Sequence, residues 1–277
     1  MSALIELSDR EFRLIRELVY NKFGINLTEQ KKSLVVGRLQ KVLREKSFSS
    51  FSQYYDYIVS DRTGQAMTTL VNRISTNHTF FYRENDHFDY FVHTVLPQIR
   101  KQLNGRGKKL RIWCAGCSSG EEPYAISMMI HDFFGAEMNL WDVGILATDI
   151  SEKVLSIARA GVYTEENVSR LPAIYRSKYF KRVSDDQWSV SDRIKKTILY
   201  KGFNLMRTQL PFKGKFHVIF CRNVMIYFDT QTKHALVDRF FKFTEPEGYL
   251  FIGHSETLGR QRCPYEYVKP AVYRKEP

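Results

Sequence analysis

Apolar residues at helical spacing dominate the first 75 positions. Phe12, Ile15, Leu18 and Val19 follow Ser8 and Glu11, a pair three apart that fits a capping box, and the helix they predict should stop near Gly24. A second helix, from about Thr28, puts Leu34, Val35, Leu39, Val42 and Leu43 on its apolar positions. A third, from Ser50, groups Phe51, Tyr54, Tyr55 and Ile58, and a fourth sets Met67, Leu70, Val71 and Ile74 on one face. No strand-like alternation interrupts them, so this half reads as a small helical bundle.

The texture changes after a helical connector (roughly 85–102) and the loop "LNGRGKK". "LRIWCAG", "VGILATD", "HVIFCRN" and "GYLFIGHSE" read as buried strands. "EEPYAISMMIHDFF", "SEKVLSIARAGV" and "DTQTKHALVDRFFKF" read as helices between them. That alternation predicts a doubly wound, mainly parallel α/β sheet built from right-handed crossovers. Between Tyr179 and Asn204 the rhythm breaks into short strand-like pieces around a polar turn, which predicts a small antiparallel β insertion. The expected organisation is a helical domain over 1–84, a connector over 85–108 and an α/β domain over 109–277, with the insertion at about 179–203.

The 277 residues suffice for one large domain or two modest ones, and 43% hydrophobic with 26% charged content describes a globular chain. No apolar run approaches the length of a spanning helix, and "MSALIELSDREF" lacks the pattern of a signal peptide. Four cysteines without a regular framework suit a reducing cytoplasm. The formal charge of +12 favours acidic partners: nucleic acid, anionic lipid or an acidic protein surface. Its excess peaks between Lys22 and Lys46, where seven Lys/Arg face two acids, so the second helix is basic and amphipathic.

The stretch "CAGCSSGEE" ends the first strand of the α/β unit, where ligands of such sheets sit. It lacks the Lys-Ser/Thr of a phosphate loop and the three spaced glycines of a dinucleotide fingerprint; only Gly116 and Gly120 appear. Glu121 and Glu122 open the following helix and would repel a phosphate, whereas a ligand carrying positive charge fits. Asp149, 33 residues beyond Gly116, closes the next strand and can accept both hydroxyls of a ribose, although an N-cap role beside Ser151 is the plainer alternative. Ribose plus positive charge without phosphate describes S-adenosylmethionine. Cys114 and Cys117 form a lone C-x-x-C inside the glycine loop with no second pair, and the seven histidines show no metal-ligand pattern, so no metal is expected.

Two further stretches, "STNHTFFYRE" and "FCRNVMIYF", with "GEEPYA", "GHSE" and the helical first half, closely resemble the CheR-type chemotaxis protein methyltransferases along almost the whole chain. The resemblance implies a cytoplasmic enzyme that moves a methyl group from S-adenosylmethionine to glutamate side chains of chemoreceptors. The products are γ-glutamyl methyl esters and S-adenosylhomocysteine. It implies a helical domain that covers the cofactor site and helps recognise the receptor's cytoplasmic helical bundle. It also implies cofactor contacts at Asn77, Thr79, Arg83, Glu122, Asp149, Asn204, Leu205, Arg222 and Asn223, with Arg83 and Tyr227 at the reacting centre. Between Glu121 and Glu122 the residue pattern itself does not choose.

A receptor bundle rich in glutamates would dock against Lys31, Lys32, Arg38, Lys41 and Arg44 of the basic helix. One departure stands out: "KRVSDDQWSVSDR" is compact and lacks the glycine-containing loop of relatives tethered to a receptor's C-terminal pentapeptide. The expectation is therefore a monomer that recognises the methylation region without tethering, inserts into no membrane and binds no nucleic acid. A nucleic-acid methyltransferase would carry an N/D-P-P-Y/F motif where this chain has "CRNVMIYF". A non-catalytic sensor is opposed by the intact Arg83, Asp149, Asn223 and Tyr227, and a nicotinamide oxidoreductase fails at the glycine loop.

Overall fold

The computed structural model of the chain describes residues 4–75, 78–105, 107–259 and 262–277. They divide into two compact units, one running to residue 75 and including Tyr227–Thr232, the other formed by the rest.

The first unit is the helical half. Helix α1 (Asp9–Phe23) starts at the full capping box: the Ser8 hydroxyl takes the Glu11 N–H while the Glu11 carboxylate takes the Ser8 N–H at 2.9 Å. It ends on Gly24 in the left-handed conformation. Helices α2 (Lys32–Glu45), α3 (Phe51–Ser60) and α4 (Gln65–Ile74) follow. Phe12, Ile15, Val19, Val35, Leu39, Leu43, Phe51, Tyr54, Leu70 and Ile74 are buried, as the spacing requires, whereas Leu34, expected on the same face as Val35, is exposed in the first turn of α2. Glu11 also accepts the Ser52 N–H at 2.8 Å, so one carboxylate fixes the starts of both α1 and α3. The unit borrows a strap from far along the chain. Asn26 N–H donates to the Tyr227 carbonyl (2.7 Å), Ile25 pairs with Phe228, and the Tyr20 hydroxyl donates to Asp229 (2.7 Å).

The second unit opens with helix α5 (Asn85–Tyr90), which runs through a π turn at Phe91–Val95 into α6 (Leu96–Leu103). Next come β1 (Lys109–Ala115), α7 (Glu121–Phe134), β2 (Asp142–Asp149), α8 (Glu152–Ala160), β3 (Val162–Thr164), α9 (Glu165–Val168) and α10 (Ala173–Tyr179). The chain continues with β4 (Phe180–Ser184), β5 (Gln187–Val190), α11 (Asp192–Lys195), β6 (Ile198–Gly202), β7 (Phe216–Cys221), α12 (Thr230–Phe243), β8 (Thr244–Ile252), β9 (Glu266–Lys269) and β10 (Val272–Arg274).

The main sheet has the order β6-β2-β1-β7-β8-β10-β9, parallel from β6 to β8 and antiparallel beyond. Connections leave β1 towards β2 and β6 on one side, and β7 leads to β8 on the other. The order therefore reverses between β1 and β7, which is where such sheets hold ligands. Ile112, Trp113, Cys114, Val218, Ile219 and Phe220 are all fully buried, as expected of central strands covered on both faces.

The stretch expected as one insertion over about 179–203 is divided. Strands β4 and β5 join β3, from before that stretch, in a three-stranded antiparallel sheet, while β6 pairs with β2 as the edge of the main sheet. The exposed Leu199 and buried Tyr200 of β6 show one face packed and one open, a pattern too short to assign from sequence. The terminal pair β9–β10 turns at Pro270-Ala271, and its strands are too short for the hydrophobic pattern to predict them.

Candidate cofactor site

The glycine loop between β1 and α7 hangs from the end of β2. Gly116 N–H and Cys117 N–H both donate to the Thr148 carbonyl, at 2.8 and 2.9 Å. Gly116 has φ +90°, and a Cβ there would collide with Val224 in the loop after β7, so the residue permits both the turn and the close approach of the two loops. Further on, the Tyr163 hydroxyl holds the Ser119 carbonyl at 2.7 Å.

Asp149 sits at the predicted strand end, but it has a local role as well. Its Oδ2 accepts the Ser118 N–H (2.9 Å) and its Oδ1 the Ser151 N–H (3.0 Å), which pins the loop to β2. Burial raises its pKa and those N–H groups pull it back. The N-cap of α8 is Ser151, whose hydroxyl accepts the Val154 N–H, so the capping alternative for Asp149 does not hold.

The two glutamates part company. Glu121 is 3% exposed and folds back onto the Ser119 hydroxyl at 2.8 and 2.9 Å, with its pKa raised by burial. Glu122 instead pairs through Oε2 with Arg222 at 2.9 Å; burial raises its pKa and Arg222 opposes the rise.

Arg222, 7% exposed, is the hub. Besides Glu122 it pairs with Glu84 (3.0 Å), donates to the Arg83 carbonyl, and lies over the Phe88 ring at 5.1 Å. One guanidinium thus bridges two carboxylates, and the charge of Arg83 also acts on Glu122. Glu122 is the carboxylate here that could hold a ligand ammonium. Next in the chain, Asn223 is left-handed (φ +59°); its N–H goes to Glu256 (2.9 Å) and its amide Nδ2 to Glu84 (3.1 Å).

Of the other expected contacts, Thr79, Arg83, Asn204 and Leu205 lie in the second unit. Arg83 is half-buried and donates to the His78 carbonyl at 2.8 Å, and Thr79 is half-buried in the irregular stretch before it. Asn204 and Leu205 follow β6, which is tied to the end of β2 by Phe203 N–H to the Asp149 carbonyl (2.8 Å). The Asn204 side chain accepts the Met206 N–H, and the Leu205 carbonyl accepts from Arg239, both at 2.9 Å. Asn77 lies outside the described residues. Tyr227 belongs to the strap of the helical unit.

Glu84 and Glu256 were not anticipated as site residues. The first closes "STNHTFFYRE" and the second closes "GHSE", so membership of the two stretches is the signal the sequence offers. Glu84, His87 and His254 also bring donor atoms within 4.8 Å of one another. There the neutralising cation is Arg222, and with the Asn223 amide and His254 N–H it engages both Glu84 oxygens. Cys114 and Cys117 are buried free thiols whose pKa values burial drives up, which removes the nucleophilic thiolate a redox pair needs.

A glycine loop and a carboxylate closing β2, set at the strand-order reversal of a mainly parallel sheet, are features of an S-adenosylmethionine-dependent methyltransferase. Residues 77–273 match the family model "CheR methyltransferase, SAM binding domain", and 10–75 match "CheR methyltransferase, all-alpha domain". The chain belongs to the CheR family of chemotaxis protein methyltransferases. It is 43% identical to the chemotaxis protein methyltransferase of Borreliella burgdorferi over 98% of this chain and 96% of that one. It is 34% identical to that of Escherichia coli over 99% and 93%, and 38% identical to a probable chemotaxis protein methyltransferase of Rhizobium etli over 93% and 96%. Among the described residues no helix is long and apolar enough to cross a membrane.

Proposed function

We propose that the chain methylates glutamate side chains of chemoreceptors, converting their carboxylates to γ-glutamyl methyl esters. The cofactor supplies an electrophilic methyl group on a sulfonium; the carboxylate oxygen forms the new bond to carbon as the sulfur–carbon bond breaks. The nucleophile, with an unperturbed pKa of about 4.3, is already ionised at neutral pH, so the protein needs no general base. Its contribution is alignment and exclusion of water, which in well-oriented reactions corresponds to effective molarities of about 10⁵ M and above.

The observation that carries this reading is the state of Arg83. Among the described residues its guanidinium bonds a backbone carbonyl and pairs with no carboxylate, while its own carbonyl is held by Arg222. A half-buried cation with no carboxylate in direct contact among the described residues, its charge felt only at a distance by Glu122, is suited to drawing in a substrate carboxylate. In this scheme Asn77, Thr79, Arg83, Glu122, Asp149, Asn204, Leu205, Arg222 and Asn223 hold the cofactor. Glu122 takes its ammonium group and Asp149 its ribose hydroxyls. Arg83 steers the acceptor carboxylate and Tyr227 orients it by hydrogen bonding.

The partner is the receptor's cytoplasmic helical bundle, met by a monomer working in the cytoplasm. The small sheet serves no pentapeptide tether, consistent with its short β4–β5 connection. The deciding experiment incubates the protein with methyl-labelled S-adenosylmethionine and receptor-containing membranes, then treats the product with mild alkali. Release of the label as volatile methanol is expected. Label that survives alkali would mean N- or S-methylation and would overturn the proposal.

A further inference from the structure

Two loops leave the same end of the main sheet, one after β7 (222–226) and one after β8 (253–259), and the Glu256 carboxylate of the second bonds both. Its Oε2 accepts the N–H of Gly253 (2.5 Å) and of Asn223 (2.9 Å), and its Oε1 accepts the N–H of Ile226 (3.0 Å). The side chain is 7% exposed and finds its partners in backbone donors. Burial raises its pKa, and the N–H groups of Gly253, Asn223, Ile226 and Met225 lower it.

Asn223 is the point on which these bonds converge. Its left-handed backbone is unusual for a residue with a side chain and persists where the surroundings over-determine it. Glu256 fixes that backbone from one side. Glu84 fixes the side chain from the other, because an ionised carboxylate only accepts and therefore turns the Asn223 amide nitrogen towards itself. The Oδ1 acceptor is thereby left for a ligand. Gly253 completes the clamp: a Cβ at that position would press into the Asn223 amide.

We infer that Glu256 is a positioning residue of the cofactor site, acting through Asn223 rather than by touching the cofactor. The inference rests on the reading of Asn223 as a cofactor contact.

Glu256→Gln tests it. The amide matches the carboxylate in shape, yet it must set an NH₂ against either the Ile226 N–H or the Asn223 and Gly253 N–H groups. A buried donor facing a donor must move, and if it carries Asn223 with it the loss of one hydrogen bond's worth at the Asn223 contact is about tenfold in cofactor affinity. Calorimetry with S-adenosylhomocysteine reads that affinity directly. The expected result is a weaker Kd and a matching rise in the KM for S-adenosylmethionine, with the KM for receptor unchanged. A purely structural role would lower the melting temperature and the active fraction without that split.

Gly253→Ala pushes on Asn223 with Glu256 intact and should reproduce the pattern, which keeps the inference testable if the first variant does not fold. In an Asn223→Ala background, Glu256→Gln should add little further loss, because both act at one point. Unchanged affinity in both single variants, or fully additive losses, would overturn the inference. Failure of the wild-type protein to bind S-adenosylhomocysteine would instead strike the assignment of the cofactor site itself.

Discussion

His87 is fully buried, with neither ring nitrogen hydrogen-bonded, and burial together with the nearby Arg222 pushes its pKa down to about 4. Glu84, Asp86 and His254 also face it, the two acids pulling the pKa up and His254 pulling it down. The unfolded chain protonates this imidazole near pH 6.5 and the folded chain does not until about pH 4. Unfolding therefore takes up a proton between those values, and stability falls as the pH drops through that window, by about 3 kcal/mol in all. Urea unfolding of wild type and His87→Phe at several pH values should show a flatter acid limb for the variant; parallel limbs would contradict the assignment. Arg83→Ala should reduce turnover at saturating cofactor by about 10²-fold, the scale of a lost electrostatic contact to the reacting group. Tyr227→Phe should cost about tenfold, one hydrogen bond's worth, and unchanged rates would remove either residue from the mechanism. Residues of this kind differ in how far a sequence reveals them. Asp149 and Glu122 stand at positions fixed by a strand end and a glycine loop, so their chemistry could be inferred from place. Glu84 and Glu256 work largely by collecting N–H groups from segments far away in the chain, and no local spacing encodes those partners.

Helix α1 illustrates how much an element owes to its first turn. Ser8→Ala removes the cap acceptor of the Glu11 N–H and should cost about 1 kcal/mol. Glu11→Ala should cost more, about 2 kcal/mol, because the same carboxylate serves the Ser8 and Ser52 N–H groups and so couples α1 to α3. Equal losses in denaturant unfolding would show the bond to α3 to be idle. Elements with a long period and a chemical punctuation mark, such as α1 between Ser8 and Gly24 or β1 before the glycine loop, are legible from sequence alone. Strand β6 is not, because five residues with one packed face fit either the small sheet or the edge of the large one, and pairing with β2 decides. The hairpin β9–β10 is similar: three paired positions beside β8 gain their stability from Val272 and Tyr273 packing onto a sheet that the local sequence does not announce.

The charge of +12 describes the whole chain, but the structure spends much of the basic helix internally. Lys31 donates to the Asn26 carbonyl (3.2 Å), Lys32 pairs with Asp9 (2.5 Å), and Arg38 donates to the Ile74 carbonyl. Lys41 and Arg44 are exposed, and the Lys41 contact with Glu45 is a loose 3.7 Å between two solvated side chains, worth little. Of the five residues expected to meet an acidic receptor, these two are therefore the freer to do so. Reversing both, Lys41→Glu with Arg44→Glu, should lower kcat/KM for receptor about tenfold at low ionic strength and leave S-adenosylhomocysteine affinity unchanged. Because the attraction acts across solvent, the deficit should shrink to about twofold near 0.5 M salt, where the screening length is only a few ångströms. Neutralising Lys32 should affect unfolding more than encounter, since its partner is Asp9. A double variant that methylates receptor as fast as wild type at low salt would show the basic face to be a solvated surface. A deficit independent of salt would instead indicate a packed contact at those two positions, and the difference between the slopes separates the cases.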